Sequence, residues 1–245
     1  MSAEKRGVVR ETLGVVIPAL LIAVLVQAFV IKAFRIPSES MLPNLLVGDY
    51  LFVSKYSYGY SRYSLPLSLP LFSGRIFAAE PRRGDVVVFR LPTDDSVDYI
   101  KRVVGLPGDS VQVIEGVLHI NGKAVPRQPT GEFRVREDGQ EVRAARYRET
   151  LPDGVSYQTL DLGMSGPLDN TELYRVPSGH FFMMGDNRDD SADSRVLDEV
   201  GYVPFENLVG RAEFIFFSVA EGAAAYEFWR WPWTVRTGRL FTVVR

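Results

Sequence analysis

The stretch Asp98-Tyr-Ile-Lys-Arg-Val-Val-Gly105 indicates the kind of fold that this chain adopts. Its β-branched and aromatic residues favour a strand, in which alternate side chains share a face. Tyr99, Lys101 and Val103 then point one way, and the residues between them point the other way. Lys101 is therefore either a solvated charge on an edge strand or an amine buried between two bulky neighbours.

Short runs of similar composition recur along the chain and are separated by turn residues. They cover residues 50–55, 85–91, 99–104, 110–114, 117–120, 181–184 and 212–219. Arg83-Gly-Asp85, Leu106-Pro-Gly-Asp109 and Asn121-Gly122 are typical turn signals. No long helical period appears outside residues 13–31, so we predict a mostly β domain over residues 32–245.

Within this domain, residues from about 126 to 178 differ in composition from the rest. They are charged and rich in turns, such as Arg136-Glu-Asp-Gly139 and Pro152-Asp-Gly154. We predict that residues 126–178 form an inserted, smaller β lobe that lies remote from the chemistry.

The N-terminal part of the chain contains an apolar run long enough to cross a bilayer. Residues 13–31 carry no charge, and a helix of this length spans roughly 28 Å. A cleaved secretory signal and a buried core helix are the alternatives, but no clean small-x-small cleavage site follows the run. We predict one uncleaved transmembrane helix at 13–31, a cytoplasmic tail at 1–12 and an extracytoplasmic domain after it. The balance of flanking positive charges supports this orientation only slightly.

Two further stretches have the composition of a membrane–water boundary. Tyrosines at 56–63 lead into Leu65-Pro-Leu-Ser-Leu-Pro-Leu-Phe72, and Phe228-Trp-Arg-Trp-Pro-Trp233 contains all three tryptophans. We favour lipid contact for the leucine–proline stretch. For the tryptophans, a packed aromatic cluster is an equal alternative.

Composition excludes several kinds of chemistry. The chain has no cysteine and only two histidines, His119 and His180, both placed in apolar runs typical of structural residues. Hydrolysis by this chain would therefore proceed without a thiol or an imidazole. The formal charge of −2 offers no basic field, so nucleic acid is not an expected partner.

A serine and a lysine are the remaining candidates for nucleophilic chemistry. Ser40 lies in Ile36-Pro-Ser-Glu-Ser-Met-Leu-Pro43, nine residues after the apolar run, which keeps it within about 30 Å of the bilayer. On its own this segment is merely a turn between prolines. A buried Lys101 would have a lowered pKa, and its neutral amine could accept a proton from a serine hydroxyl.

The acidic stretch 185–195 invites comparison with a calcium-binding loop. Counted from Asp186, however, the third ligand position is Arg188 and the obligatory glycine position is Ser191. Counting from Asp189 also fails, so we expect no metal. The stretch is better explained as a network of turns in which arginines pair with aspartates.

At these residues the chain closely resembles bacterial signal peptidase I, the type I leader peptidase family. The resemblance covers the apolar run and five separated blocks, at residues 37–49, 83–89, 99–109, 185–195 and 207–212. It implies a serine–lysine endopeptidase that needs no cofactor and cuts after small residues at the first and third positions before the bond. It further implies preproteins bearing signal peptides as substrates and the bacterial inner membrane as location. The bilayer is then a partner, and the resemblance leaves open whether the secretion translocon is a further partner.

The resemblance also implies a role for individual residues. It selects Ser40 rather than Ser38 as nucleophile and Lys101 as general base, a choice that spacing alone leaves open. Ser38 and the Ser40 backbone N–H are expected to bind the oxyanion. The supporting residues that it implies are Ser191 as the group orienting the lysine amine, Asp193 and Arg195 as an ion pair, and Arg102.

Two features depart from the family pattern. Glu39 stands where many members carry a smaller residue, and Val-Leu-Asp-Glu-Val at 196–200 lengthens the chain after Arg195. A self-cleaving repressor with the same serine–lysine chemistry, a processing enzyme for other envelope proteins, and a membrane-tethered binding domain remain the alternatives. The first would carry a DNA-binding module, and the last would not require both a hydroxyl and an amine.

Overall fold

The computed structural model describes residues 3–65, 68, 72–137, 140–163 and 166–245. The side chains of residues 3–10, 28, 136, 137 and 140 are not described. Most of the leucine–proline stretch 65–72 therefore lies outside the described residues.

The described chain is one long helix followed mainly by strands, which confirms the predicted mostly β fold. The helices are α1 (Ala3–Phe29) and α2 (Trp231–Thr234). The strands are β1 (Ile31–Arg35), β2 (Asp49–Ser54), β3 (Val86–Arg90), β4 (Asp98–Gly105), β5 (Ser110–Ile114), β6 (Val117–Ile120), β7 (Lys123–Ala124), β8 (Arg127–Glu137), β9 (Gln140–Thr150), β10 (Ser156–Asp161), β11 (Tyr174–Arg175), β12 (His180–Met184), β13 (Val203–Pro204), β14 (Leu208–Ser218) and β15 (Thr242–Val243).

The strands form three antiparallel sheets among the described residues. The largest has eight strands in the order β1-β2-β14-β3-β4-β12-β13, with β15 also paired to β14. A four-stranded sheet has the order β11-β5-β6-β7, and a three-stranded sheet has the order β10-β9-β8. Because β4 lies between β3 and β12, it is an interior strand of the large sheet.

The large sheet is buried on both faces around β3 and β4. Val86 and Val88 of β3 pack into one apolar cluster, whereas Val87 and Phe89 pack into another on the opposite face. This alternation follows from the strand period of two. Runs of valine without polar interruption are typical of strands covered on both sides.

The predicted inserted lobe contains the three-stranded sheet, but its position differs from the expectation. Val135 and Ala144 of this sheet pack with Leu42, two residues after Ser40, and with Leu160. The prediction that the segment is remote from the chemistry is therefore wrong. The error arose because composition records that a segment is charged but not which of its side chains are buried.

Helix α1 begins at Ala3 and ends at Phe29, two residues before the predicted end of the apolar run. The backbone N–H of Val30 still donates to Val26, and from Ile31 the chain pairs with β2 instead. The run 13–31 is thus divided between a helix and the first strand. Among the described residues, no helix satisfies the length and hydropathy criteria for crossing a membrane.

Exposed apolar side chains mark both ends of the chain. Along α1, every large apolar residue from Leu13 to Phe29 that the structure describes is exposed. In the C-terminal segment, Phe228, Trp229, Trp231 and Trp233 are exposed too, although the Trp231 ring lies 5.1 Å from that of Phe217. The tryptophans therefore do not form the packed cluster that was one of the two alternatives.

Candidate active site

Ser40 and Lys101 meet in the interior of the protein. The amine Nζ of Lys101 lies 2.7 Å from the hydroxyl Oγ of Ser40, although the two residues are far apart in sequence. Lys101 is 4% exposed and Ser40 is 8% exposed. The pair thus has the contact that proton transfer from a serine hydroxyl to an amine requires.

Residues 36–48, between β1 and β2, carry the expected nucleophile Ser40 and are called the nucleophile turn. Apolar neighbours and backbone hydrogen bonds hold this turn in place. Ile36, Met41 and Leu45 are buried in the same cluster, which fixes the segment on both sides of the serine. The backbone N–H of Asn187 donates to the Ser40 carbonyl at 3.1 Å. Ser40 is therefore positioned by the chain around it rather than lying on a free loop.

The strand period accounts for the environment of Lys101. Its neighbours on the same face are Tyr99 and Val103, as predicted, and the Nζ atom lies 5.3 Å from the centre of the Tyr99 ring. The alternative of an exposed edge-strand lysine is wrong, because β4 is interior and the side chain is buried. Burial lowers the pKa of Lys101 to about 8, against the opposing effect of nearby Asp193, Asp186 and Asp190.

Ser38 lies beside Ser40 at the opening of the site. Its hydroxyl is 3.4 Å from the Ser40 hydroxyl, and the residue is exposed. A hydroxyl in this place can rotate toward a substrate oxygen without moving the backbone.

Ser191 is close to the dyad but does not make the predicted hydrogen bond. Its hydroxyl is buried and has no hydrogen-bond partner among the described residues. The residue packs tightly against Gly185, where an added Cβ would lie 2.2 Å from Ser191 Oγ and 2.6 Å from the Ser40 carbonyl oxygen. Only glycine fits at 185 without displacing the nucleophile turn.

Asp193 and Arg195 form the ion pair that the resemblance implied. Two guanidinium nitrogens of Arg195 donate to the two carboxylate oxygens of Asp193, each at 2.8 Å. Gly185 N–H donates to the same carboxylate at 2.9 Å. Although burial alone would raise the pKa of Asp193, the charge and hydrogen bonds of Arg195 hold it below its usual range.

Arg102 is fully buried on the face of β4 opposite to Lys101. Its guanidinium donates twice to Asp186, each time at 2.7 Å, and lies 4.1 Å from the centre of the Tyr157 ring. It also donates to the Gly84 carbonyl at 2.8 Å. Asp186 in turn accepts from Asn44 in the nucleophile turn.

The sequence reasoning assigned no role to three residues of this network, Glu149, Arg188 and Asn44. Glu149 of β9 pairs with Arg188 through both carboxylate oxygens, and Asn44 joins Asp186 to the carbonyl of Gln158. Arg188 stands in the acidic stretch that the sequence singled out, so a signal existed for it. Glu149 is one of many charged residues in its lobe, and nothing in the sequence distinguishes it.

A cleft of about 360 Å³ opens directly onto the dyad. Its walls are residues 37–40 of the nucleophile turn, residues 97–101 around the start of β4, and the residues Asp190 and Ala192. An extended peptide lying in this cleft would pass between the turn and the strand, beside the Ser40 hydroxyl.

Comparison with known proteins identifies the family. The family model described as "Signal peptidase, peptidase S26" matches residues 9–217. Signal peptidase I of Rickettsia typhi is 46% identical over 205 residues, which cover 80% of this chain and 76% of the relative. Signal peptidase I of Rickettsia prowazekii is 44% identical over 218 residues, covering 86% and 81%.

The chain belongs to the signal peptidase I family. It is accordingly a serine endopeptidase of the family that cleaves signal peptides. A crystal structure of a signal peptidase I from Enterococcus faecalis V583 also matches, with 25% identity and a TM-score of 0.32. That match covers 54% of this chain and 97% of the other.

The two departures from the family pattern have defined places in this peptidase. Glu39 lines the cleft next to Ser40. The added residues after Arg195 fold into a turn in which Val200 and Gly201 both donate to the Val196 carbonyl. Val200 is buried, so the insertion packs onto the core and leaves the site open.

Proposed function

We propose that this signal peptidase removes N-terminal signal peptides from exported preproteins, with Ser40 as nucleophile and Lys101 as general base. The observation that supports this most directly is the contact of 2.7 Å between a buried amine and a buried hydroxyl. A solvated lysine would be charged at neutral pH and could not accept the proton.

Each proton in the proposed reaction has a donor and an acceptor. The neutral amine of Lys101 takes the proton of Ser40 Oγ as that oxygen attacks the scissile carbonyl carbon. The resulting ammonium then gives a proton to the leaving amine, and the C–N bond breaks to leave an acyl-enzyme. Lys101 next deprotonates a water molecule, which hydrolyses the ester and regenerates the serine.

The developing oxyanion would be stabilised by two donors. These are the Ser38 hydroxyl, which lies beside Ser40, and the backbone N–H of Ser40. A single well-placed donor of this kind contributes roughly 10²–10³ in rate.

The supporting residues act on the geometry of the dyad. The ion pair of Asp193 and Arg195 holds the backbone of Gly185, which packs against Ser191 and against the nucleophile turn. Arg102 holds Asp186 in place by hydrogen bonds. Rotation of Ser191 toward the lysine amine would orient the amine when substrate is bound.

The proposed specificity follows from how a strand presents its side chains. A peptide bound in an extended conformation along residues 97–101 places its first and third residues before the bond on one face. We expect the walls on that face to admit only small side chains. Residues between these positions point away and stay unrestricted.

We further propose that α1 anchors the peptidase in the bacterial inner membrane, with residues 1–12 in the cytoplasm and the β domain outside. The exposed apolar side chains of α1 support this proposal, because such a surface is unfavourable in water. The bilayer is then a partner, and the secretion translocon, which delivers exported preproteins, is a further one.

Cleavage of a purified preprotein tests the proposed function. Wild-type protein in detergent should release the signal peptide at one site, whereas Ser40→Ala and Lys101→Met should lose at least about 10³-fold in kcat. Both variants should keep the wild-type circular dichroism, since each change removes a polar group without enlarging the side chain. Unchanged cleavage by either variant would exclude the dyad, and no cleavage by wild type would favour a binding domain.

A further inference from the structure

A second cavity, of about 240 Å³, lies on the other side of the nucleophile turn. Glu39, which lines the catalytic cleft, also lines this cavity. Its apolar wall includes Leu42 and Leu46 of the same turn and Phe133 and Val135 of β8. Its charged lining residues, besides Glu39, are Arg134, Glu141, Glu221 and Arg236. The two cavities therefore share one lining residue, Glu39, which directly precedes Ser40.

The cavity borders β8 and also reaches Glu141 of β9. Phe133, Arg134 and Val135 all line it, although successive side chains of a strand point to opposite faces. Among the described residues β8 pairs with β9 alone, so it is the edge strand of its sheet. An edge strand offers unpaired backbone N–H and C=O groups to another extended chain.

A peptidase substrate continues beyond the bond that is cut. If the residues before the bond occupy the cleft at 97–101, we expect the residues after it to pass Glu39, which lines both cavities. An extended chain advances about 3.3 Å per residue. We therefore expect the second to fourth substrate residues after the bond to lie in this cavity, which Leu42 lines two residues after Ser40.

We propose that the cavity binds the segment of the preprotein that follows the scissile bond. That segment lies as an added strand on the edge of β8 and places one small or medium apolar side chain against Phe133 and Leu42. This inference rests on the proposed function and extends it, because it gives the inserted lobe a role in recognising the mature part of the substrate.

Two peptide substrates with identical residues before the bond test the proposal. One continues for six residues after the bond, and the other ends after one residue. Wild type should cleave the long peptide with the higher kcat/KM. Phe133→Ala should lower kcat/KM for the long peptide about fivefold and leave the short peptide unchanged. Arg143→Ala, an exposed change on the same hairpin, is the matched control and should affect neither.

Backbone pairing is tested on the wild-type protein, which avoids any effect of mutation on folding. Single N-methyl groups are introduced at the second, third and fourth residues after the bond of the long peptide. Because strand hydrogen bonds alternate, loss of kcat/KM should occur at alternate positions. Equal cleavage of all three methylated peptides, or an equal loss of both substrate lengths in Phe133→Ala, would overturn the proposal. Cleavage of the short peptide by wild type, and not by Ser40→Ala, shows that the proposed function stands independently.

Discussion

At the scale of single residues, the environment of Lys101 determines what the site can do near neutral pH. Burial lowers the pKa of its amine to about 8, even though Asp193, Asp186 and Asp190 act in the opposite direction. A pKa of 8 leaves about a tenth of the amines neutral at pH 7. That fraction is sufficient for a general base, whereas a solvated lysine would offer far less than a hundredth.

The activity of the peptidase should therefore rise with pH. In the proposed mechanism the active form of Lys101 is the deprotonated one, so kcat/KM for a short peptide should increase about tenfold per pH unit below 8 and level off above it. Asp190→Asn removes an exposed carboxylate that raises this pKa, and the midpoint should move to lower pH. Rates measured at subsaturating substrate from pH 6 to pH 10 provide the profile.

Lys101→Arg is the control for this profile, because guanidinium stays charged over the whole range. It should be inactive at every pH tested. A wild-type rate that stays constant from pH 6 to pH 9, with chemistry limiting, would contradict the role of the amine.

The same residues explain what could be predicted from the sequence at this scale. The neighbours of Lys101 were predictable, because strand alternation places it between Tyr99 and Val103 whatever the rest of the fold is. Its burial was not, because only the sheet order shows that β4 is an interior strand. The direction of the Ser191 hydroxyl, which has no hydrogen-bond partner among the described residues, was not predictable, because it depends on the packing of a loop against Gly185. Periodicity constrains strands, but it places no constraint on a turn.

At the scale of elements, a buried ion pair joins the inserted lobe to the active site. Glu149 of β9 binds Arg188 with both oxygens, and Tyr157 of β10 donates to the same carboxylate at 3.0 Å. Arg188 also donates to the carbonyl of Gly185 at 3.2 Å. The lobe thus holds the glycine against which the nucleophile turn packs.

Removing the carboxylate of this pair should be costly. Glu149→Gln leaves the guanidinium of Arg188 buried without its counter-charge, a change that typically lowers the free energy of unfolding by about 3 kcal/mol. We expect kcat to fall more than KM rises, since the turn carrying Ser40 loses support. Urea denaturation and peptide cleavage measure the two effects.

Glu132→Gln is the matched control, since Glu132 pairs with Arg143 on the exposed part of the same lobe. Surface pairs of this kind contribute little, so its stability should change by less than about 0.5 kcal/mol. Equal effects of the two substitutions would show that the lobe does not support the site.

The strands of this site were predictable from their composition, but the partnership between Glu149 and Arg188 was not. Seven predicted runs coincide with observed strands, because valine-rich runs between turn residues need no tertiary information. The pair, in contrast, joins β9 of the three-stranded sheet to the loop after β12 of the large sheet, 39 residues away. From sequence alone, a charged residue in a charged lobe is expected to be exposed to solvent, and only its partner in the structure shows otherwise.

At the scale of the whole molecule, two apolar surfaces flank the catalytic domain in sequence. The apolar side chains of α1 precede the domain, and the aromatic segment 228–233 follows it. Only the first leads directly into the site: β1 follows α1 after one residue and ends just before the nucleophile turn. An anchor in α1 would hold Ser40 near the bilayer, where a membrane-bound signal peptide presents its cleavage site.

Charges introduced into α1 should therefore detach the protein from membranes without inactivating it. A charged residue at the centre of a transmembrane helix costs about 2.5–3.5 kcal/mol, so Leu21→Asp combined with Val24→Asp should move most of the protein out of the alkali-resistant membrane fraction. Cleavage of a short soluble peptide should stay at the wild-type rate, since neither residue contacts the site. Cleavage of a membrane-inserted preprotein should fall, because enzyme and substrate no longer share a surface.

Leu21→Phe with Val24→Ile keeps the helix apolar and should behave as wild type in all three assays. If the doubly charged variant remained in the membrane fraction, α1 would not be the anchor, and the exposed tryptophans at 229, 231 and 233 would be the next surface to remove.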